Sequence, residues 1–277
     1  MKFFTWDIGL PKECGEDGGK RTARADAYLL DWSEDGAEKT RPAVVICPGG
    51  GYRTLSPREG EPVAMQYLSM GYHVFVLRYS VAPERFPTAL WQLALLTAQI
   101  RDNSRQWLVD PEKIVVSGFS AGGHLACSLG AFWNREFVYG PLRREKEEIR
   151  PNAMLLSYPV ITSGPYCHKG SFEKLLGEEA DNKEKRHLVS LEYQVGPHTP
   201  KTFVWHTAAD DSVPARNSLL LAENLIKSGV NVELHIFPTG CHGLSLATED
   251  TCKGLEKMVV PQCQSWITLA REWLKTI

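Results

Sequence analysis

The sequence has no run of ~18 consecutive apolar residues, so a membrane-spanning helix is excluded. Neither charge is in surplus: 31 basic and 33 acidic side chains leave a net charge of −2. The basic footprint of a nucleic-acid binder is therefore missing, and nothing favours an anionic membrane surface as partner. The seven cysteines, Cys14, Cys47, Cys127, Cys167, Cys241, Cys252 and Cys263, include no C-x-x-C pair, so neither a zinc site nor a dithiol redox motif is expected. Asp7, Pro11 and Glu13 interrupt the N-terminal segment, which does not read as a signal peptide; the expectation is a cytoplasmic chain with reduced thiols. Internal repeats and low-complexity tracts are also lacking.

What is present suits one large folded unit. The 277 residues are 43% hydrophobic, enough for a sizeable core, and a single α/β domain over 1–277 is expected. Near-continuous apolar runs lie at 43–47, 73–77, 113–116, 153–156 and 202–205, as in strands buried on both faces. The run 232–237 alternates, which suits a strand nearer a sheet edge, and residues 25–32 read as an antiparallel strand. Helical patterns at 60–70, 87–108, 214–228 and 255–275 separate these runs. Strands alternating with helices predict a mostly parallel, doubly wound sheet of about eight strands with helices on both faces. The stretch 141–150, PLRREKEEIR, reads as a solvated surface segment. Residues 160–200 are longer than a connection needs, and are expected to form a lid or substrate wall at the carboxyl ends of the strands.

Two motifs carry chemistry. Gly118-Phe119-Ser120-Ala121-Gly122 follows an apolar run and precedes a helical one, the setting of a nucleophile elbow. Ser120 needs a base, and the partners of such a serine follow in the order acid, then histidine. His242 lies between Gly240 and Gly243, just beyond the run 232–237. Asp210 and Asp211 compete for the acid beyond the run 202–205; Asp210, four residues before Pro214, is favoured, and Asp211 reads as a solvated or helix-terminal acid. The second motif, Cys47-Pro48-Gly49-Gly50-Gly51-Tyr52, places glycines where backbone N–H groups can face a substrate oxyanion. Gly50, Gly51 and Ala121 are the candidate donors. A phosphate loop is the rival reading, but the G-K-[ST] ending is missing. Tyr52 is expected to line the acyl or alcohol pocket, with a packed aromatic as the alternative. His124 and His206 read as structural and Cys241 as filler. Trp91, Trp107, Trp205 and Trp266 read as core, while Trp133, Tyr139, Tyr166 and Tyr193 are the aromatics that could stack on a sugar.

GFSAGG, PGGGY, the ADDSVP loop and GCHG together resemble the α/β-hydrolase superfamily. More narrowly, residues 25–275 are similar to small bacterial esterases related to the hormone-sensitive-lipase group and to acetyl-xylan and feruloyl esterases. The resemblance implies Ser120, Asp210 and His242 as a catalytic triad, an oxyanion hole at Gly50, Gly51 and Ala121, and no cofactor or metal. It implies removal of short acyl groups, acetyl first, from a small-molecule or oligosaccharide ester. An amidase or peptidase-like activity, of the arylformamidase or aminopeptidase type and on the same triad, is the alternative; a non-catalytic binding module of the same fold is a further one. A homo-oligomer is compatible with the sequence. The histidine usual in the lipase group's H-G-G-G motif is replaced by Pro48, and the residues before the first core strand leave little room for a large helical cap.

Overall fold

The structure, a computed structural model, describes residues 1–15, 22–31 and 39–277. Its strands are β1 (Lys2–Gly9), β2 (Thr22–Leu29), β3 (Arg41–Cys47), β4 (His73–Arg78), β5 (Val109–Phe119), β6 (Ala153–Ser157), β7 (Lys201–Thr207) and β8 (Val232–Phe237). They form one open sheet in the order β1-β2-β4-β3-β5-β6-β7-β8. Strands β3 to β8 are parallel, and β2 runs antiparallel to both β1 and β4. The strand expected over 25–32 is β2; Trp32 itself lies outside the described residues. The alternating run 232–237 is the edge strand β8, as its pattern predicts.

Alternate residues of the central strands enter two separate cores. Ala43, Val45 and Cys47 of β3 join Ile114 and Val116 of β5 on one face. Val44 and Ile46 join Val115 and Leu155 on the other. Both faces are covered, so every position in these runs gains from burial, at about 25 cal/mol per Å² of apolar surface. Helices Thr88–Asp102 and Ala121–Phe132 cover the first face. Helices Glu61–Ser69 and Trp266–Leu274 cover the second.

Two boundaries depart from the sequence reading. The helix expected over 255–275 starts only at Pro261, breaks at Ser265 and continues as Trp266–Leu274. Residues 255–260 instead form a 3-10 turn and an extended link. The helix expected over 87–108 ends at Asp102, and Ser104–Trp107 forms a separate turn.

The strand order sets the site. From β3 the chain moves one way along the sheet to β4, then crosses back to β5 on the other side. The helices that follow β3 and β5 lie on opposite faces, which opens a crevice at the carboxyl ends of these two strands. The Pro48–Tyr52 loop and Ser120 therefore meet there.

Candidate active site

Ser120 stands at the turn between β5 and the helix Ala121–Phe132. Its backbone is held at φ 54° and ψ −118°, a conformation that L-residues rarely adopt and that costs on the order of 1–3 kcal/mol. Backbone bonds fix it: Ser120 N–H donates to Ser157 O (3.0 Å), and Ser120 O accepts from Val160 N–H (3.1 Å). The turn also requires glycine at 122, where a Cβ would sit 2.0 Å from the Cys47 carbonyl oxygen. This close approach locks the elbow against the end of β3.

His242 follows β8, and its Nε2 is 2.7 Å from Ser120 Oγ. Its Nδ1 is 2.6 Å from Asp210 Oδ2. With Nδ1–H donated to the carboxylate, Nε2 is left as an acceptor facing the serine hydroxyl. Tyr158 packs edge-on against the imidazole, ring centroids 5.2 Å apart, and limits its rotation.

Asp210 lies in the loop after β7 and is 6% exposed. Its Oδ1 accepts the N–H groups of Ser212 (3.0 Å) and Val213 (2.9 Å). Its Oδ2 accepts from His242 and also from His206 Nε2 (3.2 Å). Burial pushes this carboxyl group up, but hydrogen bonds from His206 and His242 outweigh burial and hold it well below the usual carboxylate range. His206 is itself oriented by Ser218 Oγ and the Val213 carbonyl. Its role is to support Asp210, a finer one than the packed histidine the sequence suggests. Asp211 is exposed at the cavity edge; it accepts a hydrogen bond from Ser212 Oγ, while the imidazoles of His206 and His242 bond Asp210.

The Pro48–Tyr52 loop faces Ser120 across the crevice. Gly50 adopts φ +136°, and a Cβ there would fall 2.0 Å from the Thr54 carbonyl oxygen, so only glycine lets the loop fold back on itself. The amide N–H groups of Gly50, Gly51 and Ala121 have no acceptor among the described residues. Gly50, Gly51, Ser120 and His242 line one cavity of about 880 Å³, within the ~300–1,000 Å³ typical of small-molecule sites. The insertion at 160–200 contributes His168, Gly170, Glu173 and Lys174 to its wall.

Some expectations are corrected. Tyr52 does not face the cavity. It is buried, its hydroxyl hydrogen-bonds His124 Nδ1 (2.8 Å), and its ring packs on Tyr79 and His124. The positive φ of 55° at Tyr52 turns the side chain under the loop rather than out of it. His124 Nε2 in turn donates to Val189 O (2.9 Å), so the ring ties the glycine loop to the insertion. Cys241 lies in the cavity wall rather than serving only as filler. Trp133, Tyr139, Tyr166 and Tyr193 are absent from the lining.

Sequence reasoning missed a group that holds the loops together. Glu59 is 2% exposed; its Oε2 accepts Gly49 N–H (2.8 Å) and its Oε1 accepts Tyr158 O–H (2.7 Å). Tyr158 Oη accepts Ser245 N–H (2.8 Å). Arg58 donates to the carbonyls of Gly243 (2.9 Å) and Thr251 (2.5 Å). The pair thereby joins the glycine loop to the loop bearing His242. An Arg-Glu pair beside a proline carries no such signal in the sequence.

The chain has relatives of known structure and sequence. Over 92% of its length it superposes on an acetyl ester-xyloside bifunctional hydrolase from Caldicellulosiruptor lactoaceticus, covering 88% of that chain, with a TM-score of 0.79 and 37% identity. The carboxylesterase Cest-2923 from Lactobacillus plantarum WCFS1 matches 100% of this chain and 98% of its own, with a TM-score of 0.86 and 28% identity. Endo-1,4-beta-xylanase B of Butyrivibrio fibrisolvens is 36% identical over 222 residues, 77% of this chain and 34% of that relative. The chain spans less than half the length of the curated relatives it matches first. The BD-FAE family model matches residues 30–225. With that match, the 37% identity and the eight-stranded sheet, the chain belongs to the BD-FAE family and has the α/β-hydrolase fold.

Proposed function

We propose that this chain is a serine carboxylester hydrolase that removes acetyl groups from sugars or oligosaccharides. The observation that carries the reading is the unbroken line from Ser120 Oγ through His242 to Asp210, at 2.7 and 2.6 Å, opening into the cavity. His242 Nε2 takes the Ser120 proton as Oγ attacks the ester carbonyl. The N–H groups of Gly50, Gly51 and Ala121 receive the developing oxyanion; a single such donor is typically worth about 3 kcal/mol of transition-state stabilisation. His242 then passes its proton to the leaving alcohol, water hydrolyses the acyl-enzyme, and Asp210 holds the imidazole in the required tautomer throughout.

The acetyl preference draws on the relative named for acetyl ester and xyloside hydrolysis. The sugar is supported by a wall rich in polar and charged side chains, among them Arg53, Thr54, Glu173 and Lys174. The test is acetate release from acetylated xylo-oligosaccharides beside p-nitrophenyl acetate hydrolysis. Ser120→Ala is expected to lower kcat on both by at least about a thousandfold. A variant that keeps the wild-type rate overturns the mechanism.

A further inference from the structure

The insertion enters the cavity at His168, a residue that no step above uses. His168 caps the helix Lys169–Leu176: its Nδ1 accepts Ser171 N–H (3.3 Å) and lies 2.8 Å from Ser171 Oγ. A ring nitrogen that accepts a backbone N–H carries no proton, so in the neutral ring the proton sits on Nε2. Burial, and then the proximity of the His242 imidazole, which disfavours a second positive charge beside it, hold the ring's pKa below the ordinary histidine value, with Asp210 opposing; the neutral form is favoured. Nε2–H has no acceptor among the described residues. The ring lies against the glycine loop: a Cβ built on Gly51 would be 3.9 Å from His168 Cε1. The cavity thus contains a neutral donor of fixed tautomer, beside the site of the ester carbonyl.

That donor cannot replace His242 as base, because its free nitrogen already holds a proton. Nor does an acetyl group give it anything to bind, since the one carbonyl oxygen of an acetyl group is already served by the loop amides. An acceptor for His168 must lie on the alcohol part of the substrate. We propose that His168 Nε2–H donates to a hydroxyl or ring oxygen of the alcohol, next to the scissile ester, and so selects polyol esters over esters of alcohols that lack such an oxygen. This rests on Ser120 as nucleophile and assigns His168 the part of a specificity-determining residue.

The experiment compares kcat/KM for an acetylated xylobiose and for p-nitrophenyl acetate, whose aryl group offers no oxygen next to the ester. Asparagine is a first-rank helix cap, so His168→Asn keeps an acceptor for Ser171 N–H while nothing reaches into the cavity. The expected result is an about tenfold or larger fall in the sugar-to-aryl ratio of kcat/KM, the loss of one buried hydrogen bond, with an unchanged melting temperature. His168→Gln, whose longer amide restores a donor, recovers part of the ratio. An equal loss on both substrates, or an unmoved ratio, overturns the proposal, as does a wild-type enzyme that releases no acetate from the sugar. Ser120→Ala is run in parallel: activity retained there defeats the nucleophile reading itself, whatever His168 does.

Discussion

Removing the Glu59 carboxylate is expected to loosen two loops of the proposed active site at once. Glu59→Ala deletes the acceptors of Gly49 N–H at 2.8 Å and Tyr158 O–H at 2.7 Å, and both donors are left buried. Hydrogen bonds to a charged group contribute about 1.5–3 kcal/mol each, so the pair accounts for roughly 4 kcal/mol. For a chain of this size each kcal/mol moves Tm by about 2–4 °C, which gives a drop of roughly 10 °C. Glu59→Gln keeps one acceptor oxygen, and its amide can donate to Tyr158 Oη, though the Tyr158 hydroxyl proton then loses its partner; about half the loss is expected. Activity should fall with stability, because Gly49 precedes the proposed oxyanion donors Gly50 and Gly51, and Tyr158 packs on His242. A fall in kcat of about tenfold is expected, a fraction of what losing one oxyanion donor costs. The assays are thermal melting and p-nitrophenyl acetate turnover on the three proteins. An alanine variant that melts within about 2 °C of wild type and keeps its kcat refutes the reasoning.

Ser120 was legible in the sequence because its constraint is local. A tight turn between strand and helix needs small residues within two positions, and 118–122 carry them. That His242 and Asp210 would come together beside Ser120 was legible through chain order, since a parallel sheet delivers successive loops to one edge. Side-chain direction is another matter. Tyr52 adjoins the loop glycines, yet its φ of 55° points it down to His124, and nothing in PGGGY announces that turn. Glu59 meets Tyr158 across 99 residues of chain. His168 reaches the cavity only because the insertion packs back over it. Such contacts follow from the closed packing of loops drawn from distant parts of the chain, and the periodicity of single elements does not record them. The strand β1 escaped for a related reason: it is an edge strand with most side chains exposed, so burial left only a faint pattern in it.

Two further perturbations test the structure around the site. Tyr52→Phe removes the bond to His124 Nδ1 but leaves the cavity wall intact, so stability should fall by about 1 kcal/mol while KM for p-nitrophenyl acetate holds. A KM that rises severalfold with unchanged melting would return Tyr52 to the substrate pocket. The second perturbation is acid. Burial, aided at His73 by Arg41, pushes the imidazoles of His73 and His124 down from 6.5 to about 4. Both therefore stay neutral in the folded protein at pH values where the unfolded chain binds protons. Stability from this source is complete above pH 6.5 and is lost as pH falls toward 4, by an amount on the order of a few kcal/mol. The Asp210 carboxylate, whose folded pKa is depressed, adds a further loss only at more acidic pH. Melting followed from pH 8 to pH 4 should be level down to about 6.5 and then decline. His124→Gln, which does not titrate, should flatten part of that decline even if it lowers the plateau. A wild-type curve that stays level from 6.5 to 4.5 would show that these two rings are not held neutral by the fold.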